Sequence, residues 1–72
     1  MIKRGDLVIP RDNPPVPLDL VSHTDGMWIP FGQGDVGVIL EVFQHINSIS
    51  WVTVLSPSGI GDCYAHDLKV VK

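Results

Sequence analysis

The chain has 72 residues, a formal net charge of -3, 44% hydrophobic and 18% charged residues, and a single cysteine. That length allows one small domain, spanning 1–72, that buries roughly 60 to 65% of the surface its unfolded chain exposes. The composition excludes an intrinsically disordered chain, the lone Cys63 excludes an internal disulfide, and no run is long and apolar enough for a membrane span.

The start, MIKRGDL, lacks the long apolar run of a secretion signal, so the expected setting is cytoplasmic and reducing, with no membrane contact. Charge is segregated along the chain. All five basic residues, Lys3, Arg4, Arg11, Lys69 and Lys72, lie in the first eleven or last four positions. Between them, Asp12, Asp19, Asp25, Asp35, Glu41, Asp62 and Asp67 make the middle acidic, which disfavours a phosphate backbone.

Gly5 to Pro10, GDLVIP, reads as a short strand ended by a proline that cannot donate to a ladder. A long connection follows from Arg11 to about Gln33, with Pro14, Pro15, Pro17 and Pro30 and no sustained period. Structureless connections of that length are uncommon in compact domains, so GMWIP, Gly26 to Pro30, is expected to form a short strand or packed turn. Asp35 to Phe43 is the strongest strand, with Val36, Val38, Leu40 and Val42 recurring at period two as its inward face. Gln44 to Ser48 reads as a hairpin connection, and Ile49 to Leu55 as the next strand, with Val52 and Val54 on one face and Ile49, Trp51, Thr53 and Leu55 on the other. SPSG, Ser56 to Gly59, is a turn; Ile60 to Ala65 a strand; Ala65 to Asp67 a tight turn; Leu68 to Val71 a last strand. No segment supports a three-turn helix. The pattern predicts an all-β fold, a small antiparallel barrel of about five short strands with a long first loop, whose closure removes exposed edges.

The order GDLV, long loop, GxGVILEV, hairpin, WVxVL, PSG, G-x-C-Y and DLKVV resembles SH3-like small barrels over nearly the full chain, most closely short versions encoded by tailed bacteriophages and some bacteria. In such barrels the first and last strands are neighbours. The resemblance therefore implies that Lys3, Arg4, Lys69 and Lys72 gather into a basic patch. Asp35 to Val42 also resembles the glycine-containing strand of KOW domains of ribosomal and transcription proteins, but without their neighbouring basic residues.

Four motifs raise chemical questions. Gly32, Gly34 and Gly37 spell G-x-G-x-x-G, but a proline precedes the first glycine and a strand follows the last, where a dinucleotide site needs a helix. Cys63 and His66, with His23, His45, Asp62 and Asp67 elsewhere, lack the paired spacing of a zinc site and the orienting group of a nucleophile pair. PPVP, Pro14 to Pro17, contains P-x-x-P and reads best as a stiff loop. Trp28, Phe31, Phe43, Trp51 and Tyr64 are many rings for so small a barrel, and strand alternation turns Phe43 and Trp51 outward, so these five form the expected protein-contact face. The function expected is a noncatalytic interaction or structural module without cofactor or metal, possessing a protein partner or forming a homo-oligomer, in a virion or infected cell if phage-encoded. The alternative is a weak KOW-like nucleic-acid binder using the basic termini.

Overall fold

A computed structural model describes residues 2–11, 18–22, 24–32, 34–44 and 50–71. The Pro14 to Pro17 segment, the connection 45–49, His23 and Lys72 lie outside them. The described chain is all-β and antiparallel: β1 (Leu7–Pro10), β2 (Leu18–Ser22), β3 (Trp28–Phe31), β4 (Gly37–Gln44), β5 (Ser50–Ser56), β6 (Gly59–Tyr64) and β7 (Leu68–Val70), with one 3₁₀ turn, Ala65–Asp67, between the last two strands. The strands form a single curled sheet, a half-barrel, in the order β3-β2-β6-β5-β4-β1-β7.

Seven strands replace the five expected. The long first connection holds a hairpin: β2 pairs with β3 from Leu18↔Phe31 to Val21↔Trp28, and β2 then pairs with β6 through Val21↔Asp62 and Ser22↔Gly61. Prolines and glycines hid this hairpin from a periodicity reading, because its pairing with β6 brings together residues some forty positions apart. Pro30 is accommodated because β3 is an edge strand of the described sheet. At the other end β1 lies between β4 and β7, so the first and last strands are neighbours, with Val8↔Val70, Ile9↔Lys69 and Pro10↔Leu68.

The core comprises Val8, Leu20, Phe31, Ile39, Val52, Val54, Cys63 and Leu68, with Ile2, Ile29, Ala65 and Val70 packed against it. Two glycines let the strands close around it. A Cβ on Gly37 would run into Val54 Cγ1 and lie 3.2 Å from the Phe31 ring, and one on Gly61 would lie 2.7 Å from Leu20 Cβ and 2.9 Å from the Val21 carbonyl oxygen.

This crowding corrects the expected face of β4. Gly37 and Ile39 point inward, while Val36 is exposed and Val38, paired with Leu55, faces outward. Only glycine fits at the point where Val54 and Phe31 converge, and that fixes the parity. The register then shifts between Ile39 and Glu41, a bulge that leaves Leu40 half-buried and returns Val42 to the inner side opposite Val52. Val42 remains 41% exposed there, at the open end of the half-barrel.

Candidate contact face

The outer surface of β4, β5 and β6 is organised in rows that run across the strands. One row is aromatic: Phe43 pairs with Trp51, and Trp51 with Tyr64. The Trp51 and Tyr64 rings lie 4.1 Å apart between centroids at 39°, and Tyr64 stacks on His66 at 5.3 Å and 12°. His66 continues the row because the 3₁₀ turn folds it back beside the end of β6, and its Nε2 is 3.5 Å from Asp67 Oδ1. Phe43 and Tyr64 are 44% and 38% exposed and Trp51 is half-buried.

Beside this row lies a polar one, Glu41, Thr53 and Asp62, in which the Thr53 hydroxyl donates to Asp62 Oδ1 at 2.7 Å. That bond satisfies a threonine that is only 4% exposed although it points away from the core. A third row, Ile60, Leu55, Val38 and Leu7, is apolar, and three of its four side chains are among the exposed large hydrophobics. Sequence reading did not single out His66, Ile60, Leu55 or Leu7 as surface residues. For Leu55 the signal was present, since it shares a strand face with Trp51.

The five aromatic residues expected to share a face do not all meet. Phe43, Trp51 and Tyr64 are brought together. Trp28, 69% exposed, stands two strands away beyond Val21, beside Met27 and Ile60 in a shallow cleft at the β2–β3 turn. Phe31 is fully buried and is corrected to a core residue. Alternation along β3 sends Phe31 inward with Ile29, into the space that Gly37 leaves open.

Of the expected basic patch, Lys3 and Arg4 are exposed in the turn before β1, Lys69 is exposed on β7, and Lys72 lies outside the described residues. Arg11 is at the far end of β1, its amide donating to the Asp67 carbonyl, and lines a cleft of about 350 Å³ with Ile2, Val42, Ser50, His66 and Leu68.

The remaining motifs resolve into structure. The Gly32 amide donates to Asp35 Oδ2 at 2.9 Å and the Asp35 amide to the Gly32 carbonyl at 3.0 Å, closing a turn in which Gly34 adopts φ 95°. A carboxylate therefore occupies an amide that a phosphate would need, and β4 follows where a helix would have to begin. Cys63 is buried on the inner face, whereas His66 is exposed beyond the strand end. Burial, with Asp67 and Asp62 adding to it, pushes the Cys63 thiol up to about 12, the opposite of what a thiolate nucleophile needs. Among the described residues no group of three or more His, Cys, Asp and Glu side chains is placed to hold a metal ion, and no helix is long and apolar enough to cross a membrane.

No family model, no curated protein and no solved structure matches the chain.

Proposed function

We propose that this is an SH3-like small barrel acting as a noncatalytic protein-contact or structural module, and that its contact face is the outer surface of β4, β5 and β6. The observation that carries the reading is the Phe43–Trp51–Tyr64 row on the outer side of the sheet, with the exposed Leu55 and Ile60 on the same face beyond the Glu41–Thr53–Asp62 row. Aromatic side chains remove a large area from water at small entropy cost and are enriched at the centres of interfaces, and a domain this small has little reason to leave them in solvent. The SH3-like assignment is supported by the β1–β7 pairing and by the long excursion between β1 and β4. The resemblance to phage-encoded barrels makes the setting a virion or the cytoplasm of an infected cell.

A photo-crosslinking residue in place of Phe43, expressed in the native host, tests the contact face. The expected result is a saturable protein crosslink, to another protein or a second copy, that disappears on adding Tyr64→Ser in a variant with unchanged circular dichroism. No crosslink at position 43, with a folded protein, rejects the reading.

One observation favours a second reading, a weak nucleic-acid binder. The β1–β7 pairing puts Lys69 on the strand beside the one that Lys3 and Arg4 lead into. Titration of labelled single-stranded and duplex oligonucleotides at low salt decides it, because phosphate contacts weaken steeply as salt rises. No anisotropy change at low salt removes that reading.

A further inference from the structure

We propose that the open end of the half-barrel is a binding site for a small aliphatic carboxylate, which lays its chain on an apolar floor and its head group on Arg11. The inference is independent of the contact-face reading.

The opening follows from where the strands pair. β1 meets β4 only at Leu7↔Val38 and Val8↔Gly37, and the Gly5 amide adds one bond to the Ile39 carbonyl. Among the described residues β4 then runs on from Leu40 to Gln44 with no strand on that side. The bulge between Ile39 and Glu41 turns Val42 inward, opposite Val52. Val52 is fully buried there, whereas Val42 is 41% exposed, an inward side chain that the fold leaves uncovered. Val42, Ile2, Leu68 and Val70 form the floor of a concave cleft of about 350 Å³. At the roughly 30 Å³ that a water molecule occupies in the liquid, this is room for about ten non-hydrogen atoms. It is a volume in the range of small-molecule sites.

The lining selects the occupant. All four floor side chains are aliphatic, so a peptide entering the cleft would bring amide groups that the floor leaves unsatisfied, while an alkyl chain brings none. The exposed Arg11 and His66 and the half-buried Ser50 complete the polar part of the lining. Among the described residues no aspartate or glutamate lines the cleft, although the chain has eight. No carboxylate engages the Arg11 guanidinium either. The nearby acid, Asp67, lies 3.5 Å from His66 Nε2 and is not part of the lining. His66 is also stacked on Tyr64, which leaves Arg11 and Ser50 for a head group. Arg11 is fixed at the cleft through its backbone, whose amide donates to the Asp67 carbonyl at 2.9 Å. A planar guanidinium takes a carboxylate through two parallel N–H···O bonds, and a serine hydroxyl supplies one donor more.

Octanoate, whose size suits that volume, is the probe. Titrated into the full isotope-labelled chain and followed by amide NMR, it should shift the signals of Val42, Ser50 and Val70 saturably, with a Kd in the millimolar range or below. Octanol and octylamine, which have the chain without the carboxylate, should bind about tenfold more weakly or not at all. Arg11→Gln should weaken octanoate about tenfold and leave any binding of octanol unchanged. Val42→Trp, which fills the cleft, should abolish the shifts. If that variant does not keep the wild-type thermal melt, Arg11→Gln decides alone, because it changes an exposed side chain outside the core. A wild-type chain whose amides show no saturable shift overturns the proposal. Equal binding of octanoate and octanol overturns it too, as does an Arg11→Gln chain that binds octanoate like the wild type. A short peptide with a free C-terminal carboxylate that binds more tightly than octanoate would reassign the cleft to a protein chain end and overturn the aliphatic occupant.

Discussion

The inner and outer faces of the β4–β5–β6 sheet come from the same three strands, alternate along them except at the β4 bulge, and differ in the size of their apolar side chains. Inside are Gly37, Ile39, Val52, Val54, Gly61 and Cys63; outside are Phe43, Trp51, Leu55, Ile60 and Tyr64. The larger side chains are on the solvent side. An interior in which β2 and β3 press directly onto β6 and β4 has room for Val and Cys but not for indole, and two of its positions have no room even for a methyl group. Interiors are close-packed, so volume decides what enters, and hydrophobicity alone does not. Of the rings left outside, Phe43 and Tyr64 are exposed and Trp51 is half-buried against Tyr64.

The largest effect expected from breaking this contrast comes from the one large ring that is inside. Phe31→Ala should cost about 3–5 kcal/mol, because Phe31 is fully buried and its loss opens a cavity between β3 and β4. Urea unfolding measures it, and a cost below about 1 kcal/mol would mean that the hairpin does not close the core. Gly61→Ala tests the opposite limit: its methyl group would press on Leu20 Cβ and the Val21 carbonyl, and should cost about 1–3 kcal/mol although alanine is otherwise the better strand residue.

Cys63 sharpens the comparison through pH. Its thiol keeps its proton when folded up to about 12, whereas in the unfolded chain it loses it near 9.0. The unfolded state therefore binds fewer protons between those values, and the stability that this thiol contributes falls as pH rises through that window. Wild type should lose stability more steeply than Cys63→Ala there, and parallel profiles would show that the thiol is not held in the interior. The smallest effect belongs to the outer face. Leu55→Ser, at a side chain 44% exposed, should change stability by no more than about 0.5 kcal/mol while reducing any self-association. A cost comparable to that of Phe31→Ala would make the outer rows part of the fold.

Much of the central sheet was legible. The β5 alternation of Val52 and Val54 against Trp51 and Leu55 and the turn at Ser56 to Gly59 both follow from local pattern, since each depends on residues within one strand or one turn. The Ser56 hydroxyl donates to the Gly59 carbonyl at 2.8 Å and so holds that turn closed. The parity of β4 was not legible. Four aliphatic residues at period two argue for one inward face, and the argument fails because a distant Phe31 and Val54 demand a glycine there and a bulge moves the alternation by one residue. Phe31 was misplaced for the same reason. Composition marks it as a ring, and only the path of the hairpin determines which way the ring points.

The GQGDVG stretch separates the two kinds of information. Its amino acids alone determined that a glycine-rich turn leads into a β-branched strand, because backbone preference is local, and this already opposed a nucleotide site. Only the tertiary structure decided what each glycine is for: Gly34 turns the chain under the Asp35 carboxylate, and Gly37 yields its space to Phe31 and Val54. In the same way the acidic middle and basic ends are properties of the chain. That Lys69 lies on the strand beside the one that Lys3 and Arg4 lead into, while Glu41 and Asp62 lie on the outer face of β4 to β6, is a consequence of strand order, set by which distant segments can pack together without overlap.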